Sequence, residues 1–139
     1  MTLSEGEKAA FYDYICKYAN DIDKHEGEFH LENQDVQAFL SKNDIYIVEG
    51  LDDNRRQAET HSQYVIWKKN QNKKDHAYMV LKHIRNSMAH AHLKKNEENF
   101  YVLEDQSGKK GQTTMEGKIK IDLLNNLLEL LRNSRTVNK

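Results

Sequence analysis

Two rhythms of apolar and polar positions run along this chain, and the first is helical. Ser4 followed by Glu7 matches a capping box, in which a hydroxyl and a carboxylate close the first turn reciprocally. The helix it opens places Phe11, Tyr14, Ile15 and Tyr18 on one face, and Gly27 lies in the polar stretch that follows. Asn33 or Asp35 starts a short second helix carrying Val36, Phe39 and Leu40. NDIYIVEG leaves strand and helix both open: Ile45, Ile47 and Val48 are β-branched, but the run is too short for its period to decide. A third helix is expected from about Asp52 to Lys69, through Ala58, Val65, Ile66 and Trp67, and NQNKKD at 70–75 reads as a polar loop. A fourth helix is expected over about 75–93, with the segment Leu81–Lys95 as its functional part. Its Ala77, Leu81, Ile84, Met88 and Ala91 form a continuous stripe at helical period, which packing alone explains.

Beyond this point the rhythm shortens. FYVLED at 100–105 and TTMEGKIKI at 113–121 are rich in strand formers, and QSGKKGQ between them reads as a turn. The pattern predicts a β-hairpin over roughly 98–121, inserted between helices. A final amphipathic helix follows over roughly 121–134. Asp122 near its start and Arg132 near its end suit the helix dipole, and Leu124, Leu127, Leu128 and Leu131 share one face. The chain contains no proline, so the strongest helix breaker is missing. No repeat or linker divides residues 1–139, which are read as a single, mainly α domain: a bundle of four to five helices with a small inserted β-hairpin.

Composition narrows the functional classes. A chain of 139 residues fits one domain. Charged residues make up 31%, hydrophobic residues 37%, and the formal net charge is −1. That balance speaks against wholesale disorder, and it removes any global electrostatic pull toward nucleic acid, so such binding needs a local patch. Cys16 is the single cysteine and has no partner for an intramolecular disulfide; its apolar neighbours predict a helix-packing thiol. The N-terminal residues lack the pattern of a signal peptide, and no apolar run approaches the roughly 18 residues of a membrane span. A cytoplasmic protein without membrane contact is expected.

The local patch exists in the linear sequence. The 14 positions of 82–95 hold Lys82, Arg85, Lys94 and Lys95 and no acidic residue, in a chain with 22 carboxylates. Asn86 and His90 stand four residues apart, on adjacent turns of one face. Arg85 is about 140° from His90 at the helical step of about 100° per residue, so only its length lets it converge on a shared anion. Arginine offers phosphate a planar fork of donors, and histidine moves a proton near neutral pH. Together they suit RNA cleavage without a metal: the histidine acts on the 2′-hydroxyl or the leaving oxygen, and the arginine offsets charge in the transition state. A solvated helix face with a histidine near its cap explains the same residues without chemistry. His83, His90 and His92 invite a metal reading, but HxxxH, HExxH and a cysteine partner are all missing, and no metal site is expected. His92 suits the groove edge or the helix dipole. His25, His30, His61 and His76 lie in polar surroundings and are read as surface residues. Lys109 and Lys110, between two glycines, suit a solvated hairpin tip or an arm touching RNA phosphate, not a P-loop. Asp52 and Asp53 read as helix N-terminal charge, and no nucleophile triad is visible.

IRNSMAHAHL resembles the signature of the HEPN superfamily (higher eukaryotes and prokaryotes nucleotide-binding domains). That signature is an arginine, a polar residue that is often asparagine, and a histidine after four to six intervening positions. Here Arg85 and Asn86 are followed by Ser87, Met88, Ala89 and His90, with the apolar Ile84 just before the arginine. The resemblance implies a helical bundle that dimerises, so that each composite site has two arginines and two histidines. It implies a metal-independent, cofactor-free endoribonuclease of toxin–antitoxin or antiphage systems. Arg85 and His90 would be its catalytic pair and Asn86 the residue that orients them. From their position along the basic strip and beside the motif, Lys82, Ser87, His92, Lys94 and Lys95 are the expected RNA-binding residues. The expected partners are a second copy, RNA or nucleotide, and a cognate antitoxin. Other members of the superfamily lack activity and bind nucleotide, RNA or protein through the same groove.

Overall fold

The computed structural model describes residues 2–69, 75–107 and 111–135. It corrects the expectation of a mainly helical bundle. The helices α1 (Glu5–Lys24), α2 (Gln34–Asn43), α3 (Leu51–Glu59), α4 (His76–Ala89) and α5 (Leu124–Arg132) surround a mixed sheet. Its strands are β1 (Ile45–Glu49), β2 (Gln63–Trp67), β3 (Leu93–Lys95), β4 (Phe100–Ser107) and β5 (Gln112–Lys120). Their spatial order is β1-β2-β5-β4-β3. The fold is therefore α/β. The segments 70–74 and 108–110, with most of the expected polar loop and with Lys109 and Lys110, lie outside the described residues.

The correction has a physical cause in β1 and β2. These two strands pair in parallel, joined by α3, and parallel strands are covered on both faces. Val65, Ile66 and Trp67 are all fully buried, so the run shows none of the alternation by which a half-exposed strand announces itself. Val65 and Trp67 enter the main core, while Ile66 joins Leu51 and Ala58 in a smaller one beneath α3. The expected third helix ends at Glu59, and its second half is β2. Gly50 makes the turn into α3 at φ +113°, which an L side chain adopts only with strain, and its N–H donates to the Trp67 carbonyl at 2.7 Å.

β4 and β5 are antiparallel neighbours, but they are no insertion. β5 lies mid-sheet, pairing Val65 with Gly117 on one side and Leu103 with Gly117 on the other. Tyr101, Leu103, Met115 and Ile119 point into the main core, with residues of α1, α2, α4 and α5. The α5 leucines Leu124, Leu127, Leu128 and Leu131 are all buried there. At N-termini the local chemistry is realised: Ser4 and Glu7 form the reciprocal box, and the Asn33 side-chain oxygen Oδ1 accepts from the N–H groups of Asp35 and Val36.

α4 runs through the middle of the helical layer and is buried on more than one side. Ala77 through Leu81, His83, Ile84 and Ser87 are all buried. Asp75 caps it and ties it to the chain after α1: one oxygen accepts from Tyr78 at 2.8 Å, the other from Gly27 at 2.7 Å. The helix ends at Ala89, earlier than the expected bound of about 93. His90 is the C-cap and Ala91 turns to φ +58°. The His92 N–H then reaches the Ser87 carbonyl at 2.8 Å and the Ala91 N–H that of Met88 at 3.4 Å, a Schellman closure built on alanine instead of glycine. Lys94 and Lys95 consequently sit on β3. Cys16 is a further correction: it is exposed on α1, off the stripe that buries Phe11 and Ile22.

Candidate functional site

Crossing α4 from side to side, the polar residues of its last two turns form one hydrogen-bonded series. On the α1 side, Arg85 Nη1 donates to both oxygens of Asp23, at 3.0 and 2.9 Å. The Tyr78 hydroxyl donates to the same carboxylate at 2.9 Å. Burial, and then that bond to Asp23, push the phenol's pKa well above its ordinary range. Arg85 Nη2 lies 3.5 Å from the Asn86 amide oxygen. On the sheet side, Asn86 Nδ2 donates to Asp105 Oδ2 at 3.1 Å, and His83 Nδ1 meets the same oxygen at 2.8 Å. An ionised carboxylate only accepts, so Nδ1 carries the proton of that bond. Burial alone would raise the Asp105 carboxyl. The hydrogen bonds from His83 and Asn86, the field of His83 and a backbone bond at Gln106 outweigh it and hold the group below the usual carboxylate range.

His90 stands apart from this series. Its backbone N–H closes the last turn on the Asn86 carbonyl at 3.0 Å, while its side chain is exposed at the helix end, 6.3 Å between ring centroids from His92. His92 Nδ1 is buried with no hydrogen-bond partner among the described residues.

The basic strip of the linear sequence is not one surface. Lys94 is exposed on β3, on the sheet face opposite α4. Lys95 points the other way and pairs with Glu7 Oε1 at 2.8 Å. That hydrogen bond is the largest of the influences that pull Glu7 from 4.5 down to about 2, and the Tyr101 hydroxyl adds to it at 2.7 Å. Lys82 borders a cavity beside His83. Ser87 is fully buried and donates to the Ile84 carbonyl at 2.7 Å. Two of the four cations thus face α1 carboxylates that lie far off in sequence.

Four residues of this site escape sequence reasoning. Asp23, Tyr78 and Asp105 lie outside the motif, and His83 reads from the sequence only as a possible metal ligand. A signal for Asp105 was present: with the period of a strand, Tyr101, Leu103 and Asp105 share one face, so a carboxylate occupies an inward position and needs a partner. Among the described residues no three histidine, cysteine or acidic side chains gather as a metal site, and no helix is long and apolar enough to cross a membrane.

Residues 10–136 fit the family model described as HEPN pEK499 p136. None of the curated proteins or solved structures compared with the chain matches it.

Proposed function

The chain belongs to the HEPN pEK499 p136 family, and from that premise we propose that it is a metal-independent endoribonuclease acting as a homodimer. Arg85 and His90 are its catalytic residues and Asn86 positions them. The observation that carries this reading is the contrast within the motif. Arg85 is anchored through Nη1 on Asp23, and Asn86 on Asp105, while the His90 ring stands exposed at the helix end. An anchored guanidinium still has its Nε and part of Nη2 to offer a phosphodiester. His90 takes the proton of an RNA 2′-hydroxyl as that oxygen bonds to phosphorus. The bond from phosphorus to the 5′-oxygen breaks, and the leaving oxygen takes a proton from the second copy of His90. The products are a 2′,3′-cyclic phosphate and a 5′-hydroxyl. Arg85 offsets the charge that builds on the phosphoryl oxygens.

Incubation of the purified chain with cellular RNA in EDTA tests this. Cleavage by the wild type, abolished by Arg85→Ala and by His90→Ala, is the expected result. Intact RNA, together with tight binding of nucleotide or protein, would sink the nuclease. A monomer in sedimentation at micromolar concentration would contradict the dimer. A role as a toxin or antiphage effector, restrained by an antitoxin, extends the same reading. Its expression then arrests growth, and expression of Arg85→Ala does not.

A second reading is a non-catalytic domain that binds nucleotide, RNA or a protein partner. It is favoured by one observation: Asp23 and Glu7 already face Arg85 and Lys95, leaving less free positive charge along the motif.

A further inference from the structure

On the sheet side of α4 lies a cavity of about 490 Å³, bordered by Asn86 of the motif but not by Arg85 or His90. Lys68, Lys69 and Lys82 border it, around the buried His83 and Asp105. We propose that this cavity binds a phosphate monoester, held by Lys68, Lys82 and the free nitrogen of His83.

Three observations carry the assignment. The first is charge. Three lysines and one aspartate line the cavity, a local excess of two positive charges on a chain whose net charge is −1. None of the three lysines has a carboxylate partner among the described residues. A phosphate monoester carries about −1.5 to −2 near neutral pH, which matches that excess. The single carboxylate is already engaged within the wall, since Asp105 Oδ2 is taken up by His83 and Asn86.

The second is the orientation of His83. With Nδ1 fixed on Asp105, Nε2 is the nitrogen left over, and it has no hydrogen-bond partner among the described residues. The ring is buried, yet it borders the cavity. An imidazole anchored by a carboxylate on one nitrogen presents the other in a set direction.

The third is the shape of the strand ends. β4 and β5 shift register at Asp105 and Gln106, which leaves Thr114 as an extra residue on β5. Its hydroxyl donates to the Asp105 carbonyl at 3.2 Å, and its own carbonyl accepts from the Lys68 N–H at 2.8 Å. The bulge thus interrupts the ladder at the cavity wall and pins the backbone of Lys68 there. Bulges commonly re-aim chains at functional sites in this way.

The site does not depend on RNA cleavage by Arg85 and His90. Its ligand is either a free nucleoside monophosphate or the phosphorylated end of an RNA strand. Amide NMR of the full chain, titrated with inorganic phosphate, adenosine 5′-monophosphate and two RNA pentamers differing only in a 5′-phosphate, separates these. Saturable shifts centred on His83, Asn86 and Thr114 are expected, with a phosphate Kd of about 1 mM. The double variant Lys68→Ala, Lys82→Ala weakens binding by about tenfold or more, while Lys42→Ala on α2 does not. Thermal melting by circular dichroism verifies that the variants remain folded. Tightest binding of the monophosphate identifies the free nucleotide, and a preference for the phosphorylated pentamer identifies the strand end. Absence of shifts up to about 20 mM phosphate, or equal weakening by Lys42→Ala, overturns the site. Phosphate binding that survives His90→Ala keeps its fate separate from that of the nuclease.

Discussion

His83 and Arg85 sit two residues apart on α4, and each meets a carboxylate from a neighbouring element, yet the two pairs are physically unlike. Arg85 and Asp23 keep 16% and 46% of their side chains exposed. His83 and Asp105 keep only 10% and 5%. Water screens the first pair, which therefore aims a guanidinium without contributing much to stability. The second pair is shielded, so each partner depends on the other for satisfaction of its polar atoms. Asn86 touches both. One helix thus carries a water-screened ion pair on one flank and a buried polar anchor on the other.

The largest break in this contrast is expected from Asp105→Ala. It leaves His83 Nδ1 and Asn86 Nδ2 without their acceptor in a buried place and costs about 3 kcal/mol, read as a shift in urea midpoint. Acid gives the next effect. The Asp105 carboxyl is held low in the folded state, and Glu7 lies at about 2 against 4.5. A carboxyl depressed by folding stabilises the fold fully above its unfolded value and loses that contribution as pH falls through the folded one. For Glu7 the loss runs from 4.5 down to about 2. Glu7→Gln should flatten the urea midpoint against pH within that window. Asp23→Ala should cost about 1 kcal/mol or less in the same assay, because the Arg85 pair is screened; a loss equal to that of Asp105→Ala would erase the distinction between the flanks. The smallest effect is a gain. Ala91→Gly relieves the left-handed strain at the shared end of both flanks and should raise stability by about 0.5–1 kcal/mol, seen in thermal melting.

What could be read in advance was local. Ser4 with Glu7, and the four leucines of α5, act within a turn or two and needed only spacing. The motif spacing from Arg85 to His90 is equally local. β2 was hidden because a parallel strand buried on both faces carries no alternation, and its partner Gly117 is far along the chain. The charge of the segment 82–95 misled for a related reason. A run without acidic residues looks cationic on paper, but Asp23 and Glu7 are brought to it by the packing of α1. The termination of α4 at Ala89 was equally unreadable, since Ala91 occupies a backbone position normally marked by glycine.

The mid-sheet position of β5 has a consequence for how the protein is made. β5 follows the other described strands in the chain, and both of its neighbours precede it. Until it arrives, β2 and β4 each present an open row of amides and carbonyls, and the β1–α3–β2 unit cannot close its sheet. Pairing of Val65 with Gly117 demands closure of a long loop, which slows assembly and prolongs exposure of those rows. Nascent chains stalled before residue 112 are thus the form of this protein most prone to joining edge to edge with their own kind.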